Sequence, residues 1–257
     1  MLSTIRHGAP SANLPLVIVH GLFGSARNWG VIAKRLSDRG EVVAVDQRNH
    51  GASDWTETHR YPEMAADLAE VIAALPGGRA DVLGHSMGGK AAMVLALTQP
   101  ALVRRLIVAD VAPVAYTHTQ QPQIDAMRRV DLARVTSRAE AQEMMQAQNP
   151  EIAAFLLQSL DLAGKRWRIN LDVLERDLPW ILGFPEVEGR FDGPTLFLTG
   201  ADSTYVLPEH RERIRALFPR ARFAKIPGAG HWLHADKPRE FEGTVRAFLD
   251  APDPATM

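Results

Sequence analysis
Six short, largely apolar runs recur along the chain, at 16–19, 42–45, 81–83, 106–109, 196–198 and 223–226. Most are rich in β-branched residues and lack the polar alternation of a half-solvated sheet. Strands buried on both faces read this way, which predicts a parallel sheet covered by helices. Between the runs, apolar residues return with helical spacing near 29–39, 62–75, 87–98, 208–218 and 237–249. The alternation of the two periods predicts a doubly wound α/β architecture.

The rhythm breaks at 113–185, where no convincing strand is found. Ser137-Arg138-Ala139-Glu140 has the form of a capping box, opening a helix that stops before Pro150. A second helix is expected over 151–162, ended near Gly164, and a third over 169–178, ended at Pro179. The expected organisation is therefore a core of 1–112 and 186–257 with a helical cap inserted at 113–185. Such an insertion serves as a lid over a site or as a dimer surface; helices that merely pad the sheet are the plainer alternative. The tail 251–257 is expected to fray.

Composition narrows the chemistry. The 257 residues carry 29 Lys+Arg against 30 Asp+Glu, a formal charge of -1, with 46% hydrophobic and 23% charged residues. This is an ordinary soluble balance, long enough to bury a full core as one large α/β domain or two small ones. The charge offers no general attraction to nucleic acid or an anionic membrane. No Cys is present, which excludes disulfides, thiolate metal sites, iron–sulfur clusters and a Cys nucleophile. The start of the chain lacks a signal-peptide core, and no apolar run approaches the ~20 residues that span a bilayer. A soluble, cytoplasmic protein is expected.

The sharpest chemical signal is Gly84-His85-Ser86-Met87-Gly88-Gly89, between the run 81–83 and a helix pattern. At ~7% Gly a bare G-x-S-x-G turns up by chance in roughly one chain of this length in ten. The flanking strand and helix give it meaning: small residues let the chain turn sharply, exposing the Ser86 hydroxyl at the sheet edge. A serine nucleophile needs a base, and the base needs an orienting acid. Among nine histidines His231 stands out, in Gly228-Ala229-Gly230-His231-Trp232 after the last strand, with His234 its competitor. His231 and His234 as a metal pair lack a third ligand, so no metal is expected there. Two acids are open. Asp202, in Gly200-Ala201-Asp202-Ser203, occupies the more usual place, and Asp110 follows an earlier strand at the same sheet edge. Either gives the chain order Ser, acid, His. Each is equally readable as a turn or strand-end residue. A tetrahedral intermediate also needs two N–H donors for its oxyanion. The Met87 N–H is one; the loop His20-Gly21-Leu22-Phe23-Gly24 supplies the other, with Leu22 the best candidate and Gly21 permitting close backbone approach to substrate.

Together these pieces resemble the α/β-hydrolase fold family over nearly the whole chain. Further segments look like the small esterases of the YbfF type: Asp46-Gln47-Arg48-Asn49-His50-Gly51-Ala52-Ser53, Asp110-Val111-Ala112-Pro113 and Trp167-Arg168-Ile169-Asn170, in order with the serine and histidine motifs. The resemblance implies a helical cap after the family's sixth strand, here 106–109. It also implies hydrolysis of carboxylic esters or acyl thioesters, a small-molecule substrate, and no metal or cofactor. In that group the position of Asp110 is taken as the acid and that of Asp202 is often Asn; this sequence has Asp at both, and both stay candidates, with the weight toward Asp110. Trp29 and Asn28 could line an acyl pocket. Trp167 and Arg168 could meet substrate from the lid, or pack and solvate there. The stretch 46–53 reads first as a loop bracing the catalytic strands, and alternatively as Arg48 or His50 beside an anionic substrate. Rival readings are carbon–carbon bond hydrolysis or perhydrolysis on the same serine, and a triad-bearing ligand sensor. The oligomeric state is open, with the insertion the expected contact surface.

Overall fold
A computed structural model describes residues 1–147 and 149–252; the last five residues of the tail expected to fray lie outside the described residues. In chain order the elements begin with β1 (Thr4–His7), β2 (Leu16–Val19), α1 (Gly30–Leu36), β3 (Val42–Val45), α2 (Tyr61–Ala73), β4 (Ala80–His85), α3 (Met87–Thr98) and β5 (Val103–Ala109). The cap region follows, with α4 (Gln121–Arg128), α5 (Arg138–Met145), α6 (Pro150–Leu156), a two-stranded hairpin β6 (Leu160–Asp161) and β7 (Arg166–Trp167), α7 (Leu171–Arg176) and α8 (Leu178–Leu182). The chain then returns through β8 (Thr195–Gly200), α9 (His210–Leu217), β9 (Ala221–Ile226), α10 (Leu233–Asp236) and α11 (Pro238–Asp250).

Seven strands form one sheet in the order β1-β3-β2-β4-β5-β8-β9. All neighbours pair in parallel except β1, which runs antiparallel along β3. The six strands expected from the apolar runs are all present. β1 escapes the hydrophobic pattern because Thr4-Ile5-Arg6-His7 is a half-exposed edge strand. Both sheet faces are covered. Val17 and Val19 of β2 face one cluster with α2 and α3, while Leu16 and Ile18 face the other with α1 and α11. That two-sided burial removes the polar alternation from these strands.

The cap differs from its sequence outline in three places. α6 stops at Leu156, where a 3₁₀ turn leads into the hairpin. Pro179 opens α8 instead of closing the preceding helix, since proline lacks only an N–H that a first turn does not use. α4, around Ile124 and Met127, was not expected. The cap's apolar interior, including Met145, Leu156 and Trp167, is continuous with the cluster of α2 and α3. No described helix is long and apolar enough to cross a membrane.

The strand order reverses beside β2, which has β3 on one side and β4 on the other. In open α/β sheets the crevice at such a switch point, outside the strands' carboxyl ends, is where ligands bind. Here α3 starts almost in contact with the sheet. A Cβ on Gly88 would lie 2.4 Å from the carbonyl oxygens of Val19 and His20, and one on Gly84 would lie 2.3 Å from the Gly88 oxygen. Gly88→Ala is therefore expected to destabilise the protein by ~1–3 kcal/mol or more, because backbone must move to admit the methyl. A denaturant midpoint unchanged from wild type would contradict this close approach.

Candidate active site
Ser86 sits between β4 and α3 with φ 52° and ψ -122°. Positive φ is costly for a residue with a Cβ. The turn is held because Ser86 N–H donates to Ala109 O at 2.9 Å and Lys90 N–H donates to Ser86 O at 3.1 Å. The conformation stands the hydroxyl up at the carboxyl edge of the sheet. There His231 Nε2 lies 3.0 Å from Ser86 Oγ, and His231 Nδ1 lies 2.7 Å from Asp110 Oδ2. The three residues come from the ends of β4, β5 and the loop after β9.

Asp110 is fully buried, at 0% exposure. A buried carboxylate is tolerated only when its lone pairs are satisfied. Besides the imidazole, Gly200 N–H donates to Oδ1 at 3.2 Å and Ser203 Oγ–H to Oδ2 at 2.5 Å. Asp110 also has positive φ, at 52°, which aspartate tolerates better than most residues. Asp202 lies elsewhere: it is exposed, and its backbone N–H donates to Ala229 O at 3.0 Å. Its carboxylate makes no hydrogen bond to His231 among the described residues. The neighbouring Ser203 turns inward instead, a role that sequence reading missed because only the acid beside it was sought.

The His231 ring is gripped on several sides. Tyr205 stacks on it with centroids 3.8 Å apart and planes 17° apart. His85 lies 4.8 Å away and its Nε2–H donates to the His231 carbonyl at 2.8 Å. His234, the competing histidine, stacks on Trp29 at 4.1 Å. Nothing in the sequence pattern singled out Tyr205.

Beside the hydroxyl runs the loop after β2. A Cβ on Gly21 would come within 3.2 Å of Ser86 Cβ, so this backbone passes very close to the serine. Gly24 N–H closes the turn on Gly21 O at 3.0 Å, while Leu22 N–H has no acceptor among the described residues. Met87 is the first residue of α3, and its N–H has no acceptor within the helix. Two backbone N–H groups without such an acceptor thus follow Gly21 and Ser86 in the chain.

A cavity of about 250 Å³ opens over the serine, and Gly21, Leu22, Met87 and Trp29 are all on its wall. Ile152, Phe155 and Leu156 of the cap make one side apolar, and His118, Gln120 and Gln123 bring polar groups on another. Trp167 is not on the wall. It is buried in the cap, where β7 pairs with β6 and its Nε1–H donates to Met127 O at 3.1 Å. Arg168 pairs with Asp161 at 3.2 Å. Arg48 forks onto Asp67 of α2 at 2.6 and 2.8 Å and does not reach the cavity.

Lys90 was also missed. It sits one helical turn beyond Ser86, is only 2% exposed and lines the cavity. Its ammonium donates to Leu182 O at 2.9 Å and Gly183 O at 2.5 Å and lies 4.6 Å from the Tyr116 ring centre. Tyr61 Oη–H donates to Ile181 O at 2.5 Å and Tyr116 N–H to Leu182 O at 3.0 Å. The orphan carbonyls at the end of α8 are thereby taken up by Lys90, Tyr61 and Tyr116. Asp177, just before α8, accepts the His59 N–H at 2.7 Å.

Burial sets the local charges. It pushes His20 down to about 4 and His50 to about 3, and it holds His59 and His85 well below the usual histidine range. It pushes Lys90 down to about 7, while the carbonyls and ring faces around the ammonium pull the other way.

Residues 15–238 match the family model described as the alpha/beta hydrolase fold. The chain is 41% identical over 251 residues to the sn-1-specific diacylglycerol lipase ABHD11 of Mus musculus, covering 93% of this chain and 82% of the relative. It is 39% identical over 241 residues to esterase YbfF of Escherichia coli (strain K12), covering 93% of this chain and 94% of the relative. Among solved structures, a marine microorganism esterase superposes with a TM-score of 0.90 at 36% identity, covering 96% of this chain and 98% of that one.

Two pH effects follow from burial. As pH falls below 6.5, unfolded histidines take up protons that the buried ones refuse, so stability falls with falling pH. Each such histidine steepens the slope by up to ~1.4 kcal/mol per pH unit. Denaturant midpoints measured from pH 7 down to 5 should decline; a flat curve would contradict neutral burial. Lys90 acts in the alkaline window. Between about 7 and 10.5 it sheds its proton in the fold before it does in the unfolded chain, so stability gains as pH rises. Lys90→Met is expected to flatten that gain, and an unaltered alkaline slope in the variant would count against it.

Proposed function
The chain belongs to the α/β-hydrolase fold family and is a hydrolase of the esterase and lipase kind, and on that premise we propose that it cleaves short- to medium-chain carboxylic esters, or acyl thioesters, through an acyl-enzyme on Ser86. The observation that carries this reading is the unbroken line of contacts from Ser86 Oγ through His231 to Asp110, at 3.0 and 2.7 Å.

Ser86 Oγ attacks the carbonyl carbon while its proton passes to His231 Nε2. Asp110 holds the imidazole with Nδ1–H toward itself and stabilises the cation that forms. The Leu22 and Met87 N–H groups receive the oxyanion, and the loss of one such donor typically costs ~10²–10³ in turnover. The tetrahedral intermediate collapses, the alcohol or thiol leaves with the proton from His231, and Ser86 stays acylated. Water then repeats the sequence, releasing the carboxylic acid and restoring Ser86. The acyl chain lies along the apolar side of the cavity, near Leu22, Trp29 and Phe155. Asp110 is favoured over Asp202 as the acid by its burial and its contact with Nδ1.

The test is hydrolysis of p-nitrophenyl butyrate, with an acyl-thioester panel alongside. Wild type should turn over, Ser86→Ala should fall to background, and Asp110→Asn should lose ~10³-fold or more in kcat through the wrong tautomer. Asp202→Asn should stay within a few-fold of wild type. The larger loss in Asp202→Asn would reverse the acid assignment. Equal inactivity of wild type and Ser86→Ala on both panels would sink the esterase chemistry, as would failure of a serine-directed phosphonate to label Ser86.

A further inference from the structure
We infer that His50 is a positioning residue for the oxyanion-binding loop, holding Phe23 so that the Leu22 N–H stays aimed at the reacting carbonyl. The inference rests on the proposed role of Leu22. Phe23 has φ 62°, a left-handed conformation that a bulky side chain adopts only under constraint. Its N–H donates to His50 Nε2 at 3.2 Å. The other ring nitrogen, Nδ1–H, donates to Arg48 O at 3.0 Å. With one nitrogen accepting and the other donating, a single neutral tautomer satisfies both bonds. Complete burial keeps the ring neutral and able to accept.

His50 has a counterpart one step along the loop. His20 Nδ1–H donates to Gly21 O at 2.8 Å, and its Nε2 accepts the Gln47 N–H at 3.0 Å. Asp46 Oδ1 accepts the Ala26 N–H at 2.7 Å. The stretch after β3 therefore laces the stretch after β2 from both ends, and His50 takes the Phe23 N–H, next to Leu22. The far side of the same loop is tied to the cap. His50 pairs with Ile169 as an antiparallel bridge, Gly51 N–H donates to Arg168 O at 2.8 Å and Asn170 N–H to Asn49 O at 3.0 Å. A loop pinned on the cap side is a rigid seat for an imidazole that must hold a strained neighbour.

The experiment uses the full chain and four proteins: wild type, His50→Leu, His50→Gln and His50→Asn. Leu removes the acceptor. Gln carries an amide oxygen at the distance of Nε2, and Asn carries one too short to reach Phe23. In His50→Leu and His50→Asn, kcat on p-nitrophenyl butyrate should fall ~10²-fold, the scale of a lost oxyanion donor, with KM within a factor of ~3. Binding of a trifluoromethyl ketone, which places an oxyanion beside Ser86, should weaken in step. His50→Gln should recover kcat to within ~10-fold of wild type. If His50→Leu does not fold, the contrast between Gln and Asn decides. Equal kcat in Gln and Asn, or loss of kcat without loss of ketone affinity, would overturn the assignment. A wild type without turnover would instead overturn the esterase reading on which it stands.

Discussion
The site depends on how closely the first turn of α3 approaches the ends of β2 and β4. Without a side chain at Gly88, the helix start can rest on the Val19 and His20 carbonyls. That contact forces the turn between β4 and α3 to be sharp, and the sharp turn puts Ser86 at positive φ. It also brings the loop after β2 against Ser86, where its backbone can share an oxyanion with the Met87 N–H. The proposed nucleophile and oxyanion donors are thus placed by one packing contact, and strain at Ser86 is stored by the sheet beneath it.

Burial of polar groups is the second constraint. Asp110, His20, His50, His59 and His85 lie under the cavity with little or no exposure. A buried carboxylate needs donors, and Asp110 has Gly200 N–H, Ser203 Oγ and His231 Nδ1. A buried imidazole is cheapest when neutral, and a neutral imidazole offers one donor and one acceptor. Those bonds fix loops where a charged group would have demanded a counter-ion. Arg48, whose charge reaches the buried His59, is paired with Asp67 of α2.

Strands and site were legible in the sequence to different depths. Five of the six expected strands were readable because burial on both faces leaves mostly apolar residues, as in Leu16-Val17-Ile18-Val19, whereas β9 is an edge strand with Arg222 and Lys225 exposed. The edge strand β1 carries no such signature. Cap boundaries were harder, because short helices joined by prolines have no long period to read: Pro179 ends one pattern and begins the next with equal ease. Ser86 and His231 were readable from local turn chemistry. The choice between Asp110 and Asp202 was not, since both follow strands that end at the same edge. It depends on which side chain faces inward as β8 exits, and there Ser203 turns in while Asp202 turns out. Trp167 shows the same limit: an indole in a lid motif has no mark that tells cavity wall from cap interior.

The cap is joined to the core by interior polar pins as well as by a continuous apolar cluster. Lys90 and Tyr61 hold the carbonyls at the end of α8, and Asp177 holds the His59 N–H before its start. Lys90 belongs to the helix that Ser86 opens, so the cavity wall at Leu182 is indexed directly to Ser86. On the opposite flank, loop 46–53 is bonded to the cap at Arg168 and Asn170 and to the loop after β2 through His20 and His50. The cap wall and the loop after β2 therefore share supports. A change in cap packing that shifted Ile169 would be felt at Phe23 through one imidazole, and a change at Phe155 would be felt at Trp232, next to His231.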